Sequence, residues 1–232
     1  MDHFVKIYQK KAAAYHELIA AEDVDGNLRS ALQKITSFAD SRILDVGGGT
    51  GRIPLLIADQ ANEVLSIDLH RDMLREQIVQ REAFGGNWWL AQADLRQLPV
   101  ATNWADAVIA GWAIGHFRSW HADDWTDQVD RAVAELQRSA KPQGQLIILE
   151  TMGTGSDAAG PPTPGLAEYY SRLEDKHDFQ RKDISTDYEF ANLDKAVELT
   201  EFFFGEELAE KVRTKNWVRV PEWTGIWYRR NS

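Results

Sequence analysis

A glycine-rich segment follows the first short apolar stretch of the chain and reads Asp45-Val46-Gly47-Gly48-Gly49-Thr50-Gly51-Arg52. Glycine adopts backbone angles that are closed to other residues, and it lets a ligand lie against the main chain. A helix that begins after such a loop offers free N–H groups and a partial positive charge. The segment therefore predicts a nucleotide-cofactor site, and by itself it leaves the kind of nucleotide open.

Two acidic residues follow the next two predicted strands. Asp68 ends the apolar stretch Glu63 to Asp68, and Asp94 comes directly after Asn87 to Ala93. A carboxylate at the end of the second strand can accept two hydrogen bonds from a ribose diol. An acid after the third strand can hold the amino group of an adenine. Both positions favour a cofactor that contains adenosine.

The glycine spacing disfavours a dinucleotide. The pattern G-x-G-x-x-G/A requires a small last residue, but counting from Gly47 or Gly49 brings Arg52 or Pro54 to that place. Asp45 adds a negative charge, which is awkward beside a pyrophosphate and helpful beside the ammonium of an amino-acid moiety. An NAD(P)-dependent oxidoreductase remains as an alternative function.

Five segments of the chain resemble, in their order along the sequence, the motifs of the class I S-adenosylmethionine-dependent methyltransferases. The resemblance covers about residues 1–151, and a looser one is to small-molecule methyltransferases of the methyltransferase-11/25 type. The matching segments are the glycine loop, Asp68, Ala93-Asp94-Leu95, the stretch Ala105 to Trp112 and the predicted turn Lys141-Pro142-Gln143-Gly144.

This resemblance implies that the chain binds S-adenosyl-L-methionine and releases S-adenosyl-L-homocysteine. The glycine loop would carry the methionine part of the cofactor, and Tyr8 and Tyr15 would fold over the site as a lid. The cofactor-binding residues that it implies are Tyr15, Asp45, Gly47, Gly48, Gly49, Gly51, Asp68, Leu69, Met73, Asp94, Leu95, Gly111 and Trp112.

One histidine is a candidate for proton transfer. His116 follows the predicted fourth strand, where the family places residues near the transferred methyl group, and a neutral imidazole accepts a proton near pH 7. The alternative is that His116 only bonds the cofactor or orders its loop. His121, Asp123 and Asp124 follow without a standard metal-ligand spacing, so no metal is predicted. The chain has no cysteine, which excludes disulfides and a thiol nucleophile.

Short apolar strands alternate with amphipathic helices along most of the chain, which predicts an α/β fold with parallel β-α-β units. We expect a Rossmann-like, seven-stranded, mostly parallel sheet whose last strand is antiparallel, with helices on both faces. The 232 residues suit a single methyltransferase domain. Its expected parts are an N-terminal helical cap (1–40), a cofactor-binding core (41–151), and a substrate-side lid with the last two strands (152–232).

Composition narrows the range of partners. Lys and Arg number 26 against 36 Asp and Glu, a net charge of −10, which argues against nucleic acid. We find no signal peptide, and the longest run of apolar and glycine residues, 107–115, is too short to span a membrane. The expectation is a cytoplasmic enzyme that methylates an oxygen or nitrogen of a small molecule. A non-catalytic cofactor-binding protein is the second alternative, and the oligomeric state stays open.

Overall fold

The structure is a computed structural model that describes residues 3–232 and contains strands, α-helices and one short 3-10 turn at Ile114–His116. The strands are β1 Arg42–Val46, β2 Glu63–Asp68, β3 Trp89–Gln92, β4 Ala105–Gly111, β5 Ala140–Thr154, β6 Gln180–Ser185, β7 Tyr188–Glu189, β8 Arg219–Val220 and β9 Glu222–Arg230. The helices are α1 His3–Lys10, α2 Ala12–Ala20, α3 Asn27–Ile35, α4 Arg52–Ile57, α5 Arg71–Phe84, α6 Phe117–Trp120, α7 Trp125–Ser139, α8 Pro164–Asp175, α9 Leu193–Phe204 and α10 Glu206–Lys215.

Seven strands form one sheet in the order β3-β2-β1-β4-β5-β9-β6. The pairs β1–β2, β2–β3, β1–β4 and β4–β5 are parallel, whereas β9 runs antiparallel to both β5 and β6. This confirms the predicted Rossmann-like sheet with an antiparallel last strand. The strand order reverses between β1 and β4, which is where open α/β sheets bind ligands, outside the carboxyl ends of the strands.

Alternate side chains of the central strands pack into two separate apolar layers, one on each face of the sheet. Val108 and Ala110 of β4 point to one layer, and Ala107 and Ile109 point to the other. Successive side chains of a strand lie on opposite faces, so a strand covered by helices on both sides is apolar at every position. All four residues are fully buried, which is why the fourth strand appears in the sequence as a continuous apolar stretch.

A third apolar cluster joins the N-terminal helices to the C-terminal third of the chain. Leu18 of α2 packs with Tyr188 and Phe190 around β7, and with residues of α9 and α10 such as Leu199 and Val212. The cluster fixes the N-terminal helices against the part of the chain that the sequence analysis assigned to the substrate side. The boundaries of the three expected parts of the domain stay predictions.

The predicted turn at 141–144 is wrong as an element boundary. Strand β5 already begins at Ala140, and its pairing with β4 shifts register between Ala105 and Ala107. The turn-like sequence is accommodated inside the strand by Gln143, whose φ is +64°. Within residues 3–232, no helix combines the length and the apolar character that a membrane crossing requires.

Candidate active site

The glycine loop connects β1 to α4 and is held by backbone hydrogen bonds. The amides of Gly47 and Gly48 both donate to the carbonyl oxygen of Ile67, at 2.8 and 2.9 Å, so the loop is attached to the end of β2. Gly47, Gly49 and Gly51 have φ values of +71°, +53° and +99°. Side chains rarely adopt this left-handed region, which explains why glycine recurs at alternate positions.

The glycines of the loop meet two different surroundings. A Cβ atom on Gly48 would lie 1.9 Å from Oγ of Ser66 and 2.4 Å from Oδ2 of Asp45, and one on Gly51 would lie 2.9 Å from Gln77. A Cβ atom on Gly49 would meet only a ring carbon of Tyr15, at 3.8 Å. Gly48 and Gly51 are therefore required by packing beneath the loop, whereas Gly49 leaves an open surface above it.

Asp45 lies beneath the loop in a buried polar network. Its Oδ2 accepts a hydrogen bond of 2.6 Å from Ser66, and the Asp45 side chain is almost completely buried. Burial raises the pKa of Asp45 to about 7, against the opposing effect of the Ser66 hydroxyl. The side-chain amide of Gln77, in α5, donates from its nitrogen to the carbonyl oxygen of Gly49 and accepts from the Ser66 hydroxyl through its oxygen.

A cavity opens above the loop, at the carboxyl ends of the strands. It contains about 820 Å³ of atom-free space, part of it open to solvent. Its walls come from the glycine loop, the ends of β2, β3 and β4, and the N-terminal helices. The lining residues are Tyr8, Tyr15, Gly47, Gly49, Asp68, Leu69, His70, Met73, Ala93, Asp94, Leu95, Arg96, Gly111, Trp112, Ala113, His116, Phe117, Trp120 and His121.

Asp68 projects from the end of β2 and is oriented by two backbone amides. Its Oδ2 accepts from the Gly49 amide at 2.9 Å, and its Oδ1 accepts from the His70 amide at 2.6 Å. Burial raises the pKa of Asp68, and the two amides oppose that rise. A carboxylate has about four acceptor positions, so two remain for a ligand after the two amides are bound.

Asp94 is held from one side by Arg96. Its Oδ1 accepts from the backbone amide and from Nε of Arg96, each at 2.9 Å, and its Oδ2 accepts from Nη2. These bonds lower the pKa of Asp94. Arg96 is itself fixed by Gln128, whose Oε1 accepts from Nη1 at 2.7 Å. Oδ2 of Asp94 therefore keeps one acceptor position for a group in the cavity.

Aromatic rings from the N-terminal helices border the cavity on the side of His116. Nε2 of His116 lies 3.0 Å from the hydroxyl oxygen of Tyr8, and the imidazole stacks on the Trp120 ring at a centroid distance of 4.5 Å. The Tyr8 ring contacts the Tyr15 ring edge-on at 5.5 Å. Burial raises the pKa of Tyr15, so its hydroxyl stays protonated at neutral pH.

A buried carboxyl group lies behind the His116 segment. Oε1 of Glu150, in β5, accepts from the Gly115 amide at 2.8 Å and from the Tyr169 hydroxyl at 3.1 Å. A Cβ atom on Gly115 would lie 2.9 Å from the other oxygen of Glu150, so a larger residue there would require the carboxyl group to shift. Burial raises the pKa of Glu150 to about 7. Glu150 thus connects the 3-10 turn before His116 to helix α8.

The structure brings most of the predicted site residues together and leaves three outside the cavity wall. Asp45, Gly48 and Gly51 do not line the cavity, because they lie beneath the loop or at the start of α4. The predicted residues that line it are Tyr15, Gly47, Gly49, Asp68, Leu69, Met73, Asp94, Leu95, Gly111, Trp112 and His116. Contact of any of them with a cofactor stays a prediction.

Arg96, His70 and His121 line the cavity although they were not predicted as site residues. His70 is two residues from Asp68 along the chain, and His121 follows directly after α6. Arg96 could have been found from its place two residues after Asp94. No residue of the expected substrate-side lid and last two strands (152–232) lines this wall. Across residues 3–232, no group of three or more His, Asp or Glu side chains is placed to hold a metal ion.

The walls of the cavity fit S-adenosylmethionine. Gly47 and Gly49 line the cavity, and the main chain of Gly49 is open above it. Asp68 keeps two acceptor positions for a ribose diol, and Asp94 keeps one for an adenine amino group. When bound, this cofactor supplies an electrophilic methyl group.

Comparisons with known proteins agree with this assignment. Residues 44–148 match the family model described as a methyltransferase domain. The chain is 28% identical over 149 residues to malonyl-[acyl-carrier protein] O-methyltransferase of Buchnera aphidicola, covering 64% of this chain and 54% of that protein. It is 32% identical over 145 residues to the ubiquinone/menaquinone biosynthesis C-methyltransferase of Syntrophotalea carbinolica, covering 62% and 56%.

The fold also has relatives among solved structures. Phosphoethanolamine N-methyltransferase 2 of Haemonchus contortus, solved in complex with S-adenosyl-L-methionine, superposes with a TM-score of 0.61 at 15% identity, over 100% of this chain and 60% of that one. The matched domain and the fold support the class I S-adenosylmethionine-dependent methyltransferase that the sequence motifs resemble. The ligand of the Haemonchus contortus structure, S-adenosyl-L-methionine, agrees with the cofactor that the resemblance implied. The chain spans about half the length of the two curated relatives named above.

Proposed function

We propose that this protein transfers the methyl group of S-adenosylmethionine to an oxygen or nitrogen of a small-molecule acceptor. The observation that carries the proposal is one cavity that combines the bare loop backbone, two oriented carboxylates and a histidine. Methyl transfer from a sulfonium needs alignment more than activation, so the residues of the chain act mainly by fixing the two reactants.

Strand order supports a division of the cavity into two ends. Asp94 follows β3 at one side of β1, whereas Trp112 and His116 follow β4 at the other. We infer that adenine binds towards Asp94, that the ribose hydroxyls bind Asp68, and that the methyl group faces the β4 side. Asp45 would then influence the loop from beneath and would not touch the cofactor ammonium.

The acceptor end of the cavity is aromatic. Tyr8, Tyr15, Trp112 and Trp120 contribute rings to the walls, and Tyr8 and His116 offer polar atoms. Such walls favour a planar or apolar acceptor with one polar group. In this proposal His116 accepts the proton that an oxygen or nitrogen acceptor loses as its new bond to the methyl carbon forms.

A second candidate is methylation at carbon. The relative from Syntrophotalea carbinolica is described as a C-methyltransferase, whereas the one from Buchnera aphidicola is described as an O-methyltransferase. The matched region lies mainly in the cofactor-binding half, so these names do not choose between acceptor atoms. The product structure decides between the two candidates.

The experiment is a search for the acceptor with labelled cofactor. Purified protein and isotopically labelled S-adenosylmethionine are incubated with a metabolite extract, and mass spectrometry identifies compounds that gain one labelled methyl group. Tandem spectra then locate the methyl on oxygen, nitrogen or carbon. The proposal fails if S-adenosylhomocysteine does not bind, or if a bound cofactor is never consumed in the presence of extract.

With the acceptor in hand, His116→Ala tests the role of the histidine. We expect turnover to fall by roughly a hundredfold or more if His116 is a general base, with little change in cofactor affinity. His177→Ala is the matched control, because His177 pairs with Asp130 and does not line the cavity. Lost cofactor binding with intact turnover at saturating cofactor would make His116 a cofactor ligand instead.

A further inference from the structure

The two edges of the seven-stranded sheet differ in their side chains. Strand β6, at one edge, carries the charged residues Arg181, Lys182 and Asp183. Strand β3, at the other edge, reads Trp89-Leu90-Ala91-Gln92 and carries no charge. Within residues 3–232, β3 pairs with β2 alone, so its outer side has no strand partner. Natural edge strands commonly use charged side chains to prevent pairing with another chain, and β3 lacks this protection.

Exposed apolar side chains are concentrated on β3 and on the neighbouring helix α5. Trp89 of β3 is 64% exposed, and Ile78, Val79 and Phe84 of α5 are 37%, 55% and 48% exposed. The other large apolar side chains that are exposed within residues 3–232 are those of Val24, Leu69 and Val218. A concentration of this kind marks an interaction surface.

Helix α5 packs on β2 and β3 and turns one line of exposed side chains towards the β3 edge. We call this line the α5 stripe, and it consists of Arg71, Arg75, Ile78 and Glu82. At about 100° per residue, these four lie within about 60° of one another and about 140–180° from Gln80, around the helix axis. Gln80 contacts His16 of α2, so the stripe faces away from α2. Arg81, beside the stripe, donates from Nη1 to the carbonyl oxygen of Trp88, the residue before β3, at 2.7 Å.

The α5 stripe has opposite charges at its two ends. Arg71 and Arg75 precede Ile78 along the helix, and Glu82 follows it. Neither Arg71 nor Glu82 forms an ion pair within residues 3–232, and Arg75 pairs only with the exposed Asp72. If two copies of the helix run antiparallel and cross near Ile78, the positive end of each lies against the negative end of the other. The stripe is therefore complementary in charge to a second copy of itself.

The dimensions of a sheet allow the strands and the helices to pair at the same time. Antiparallel pairing of β3 with β3 of a second copy gives the strand order β2-β3-β3-β2. Neighbouring strands are about 4.8 Å apart, so two α5 helices, each lying over its own β2 and β3, would be about 9.6 Å apart. Packed helices are separated by about 8–10 Å. One twofold axis perpendicular to the sheet can therefore relate both contacts.

We propose that this surface is a homodimer interface, in which the β3 strands of two copies pair antiparallel and their α5 stripes pack together across the same twofold axis. Leu90 packs in the apolar layer that contains α4, and Ala91 packs in the opposite layer. Trp89 alternates with Leu90 along β3, so its exposed indole lies on the face opposite α4. The second copy thus covers apolar side chains on both faces of the joint sheet. Neither Ile78 nor Trp89 lines the cofactor cavity, which the dimer leaves free.

The test measures the monomer–dimer equilibrium of the full chain by analytical ultracentrifugation over a range of protein concentrations. We expect wild-type protein to dimerise. Ile78→Arg and Trp89→Lys place charges in the interface, and each should raise the Kd of the dimer by at least about tenfold. Both positions are exposed, so both variants should fold and bind S-adenosylhomocysteine as wild type does. Val24→Lys is the matched control, because Val24 is also exposed and apolar but lies beside Asp187, away from α5 and β3.

Charge reversal tests the orientation of the two helices. Glu82→Arg places an arginine against Arg75 of the second copy, so the Kd of the dimer should rise about tenfold, and less at high salt. The double variant Arg75→Glu with Glu82→Arg restores opposite charges across the axis and should dimerise within a few-fold of wild type. Local damage to α5 by the single substitution would not be repaired in this way.

A disulfide cross-link tests the position of the axis. The chain contains no cysteine, so a single introduced cysteine can form a disulfide only between two copies. Ile78→Cys, beside the proposed axis, should give a covalent dimer on oxidation, whereas Val24→Cys should remain a monomer in a denaturing gel.

The outcomes decide the inference without reference to methyl transfer. A dimer that Ile78→Arg and Trp89→Lys weaken, and that the double charge variant restores, supports it. Wild-type protein that stays monomeric at every concentration overturns it and leaves the surface to a partner of another kind. A dimer that none of these variants weakens, or that is cross-linked through Val24→Cys and not through Ile78→Cys, also overturns it.

Discussion

Removing the carboxylate of Asp68 should weaken cofactor binding by a defined amount. Its two oxygens accept the amides of Gly49 and His70, at 2.9 and 2.6 Å, which leaves two acceptor positions for the two ribose hydroxyls. Hydrogen bonds to charged groups typically contribute about 1.5–3 kcal/mol. Because the cavity is partly open to water, we expect Asp68→Ala to lose about that amount in total, or roughly ten- to a hundredfold in affinity.

Calorimetric titration with S-adenosylhomocysteine measures this change. The control is Asp72→Ala, which removes an exposed carboxyl group four residues later that pairs only with Arg75. Titration with the 2′-deoxyribose analogue distinguishes direct contact between Asp68 and the ribose from a role of Asp68 in positioning the glycine loop. If Asp68 binds the ribose, wild-type protein should bind the deoxy analogue more weakly than S-adenosylhomocysteine. In Asp68→Ala the difference between the two ligands should be much smaller.

Two results would refute this reasoning. Unchanged affinity for S-adenosylhomocysteine in a folded Asp68→Ala variant would remove Asp68 from the cofactor site. An equal penalty for the deoxy analogue in both proteins would show that Asp68 only holds Gly49 and the loop. Circular dichroism of each variant establishes that the fold is retained before either result is interpreted.

Three further substitutions test the loop. Gly48→Ala should lower the free energy of unfolding by about 1–3 kcal/mol, measured by urea denaturation, because its Cβ atom would overlap Ser66 and Asp45. Gly49→Val should keep the fold and lose S-adenosylhomocysteine binding in calorimetry, and normal binding would mean that the loop is only a turn. Since the folded-state pKa of Asp45 is raised to about 7, the folded protein binds the extra proton, and stability should fall as pH rises from about 4 to about 7. Asp45→Asn should flatten that slope in denaturation at several pH values, and an identical slope contradicts the assignment.

The cofactor half of the chain was predictable because its residues are close together in sequence. Asp68 ends β2 and Asp94 follows two residues after β3, and the parallel pairing of β1 with β2 and β2 with β3 brings those strand ends to one edge. Short apolar stretches predict these strands, and the strand ends then predict the site. The same reasoning could not predict that Gly48 and Gly49 have different roles, because that difference depends on the side chains that lie beneath the loop in the folded protein.

Contacts between distant parts of the chain could not be predicted in this way. Glu22, Arg52, Tyr188 and Glu222 come from four distant segments, and no spacing relates them. They meet because the third apolar cluster fixes the N-terminal helices against β7 and β8, and because β9 returns antiparallel beside β5. A buried acid at the first residue of a strand gives no signal in sequence, since an exposed Glu there would look the same. Only the fold shows that Glu222 is buried and that its carboxyl group accepts a hydrogen bond from the Thr151 hydroxyl.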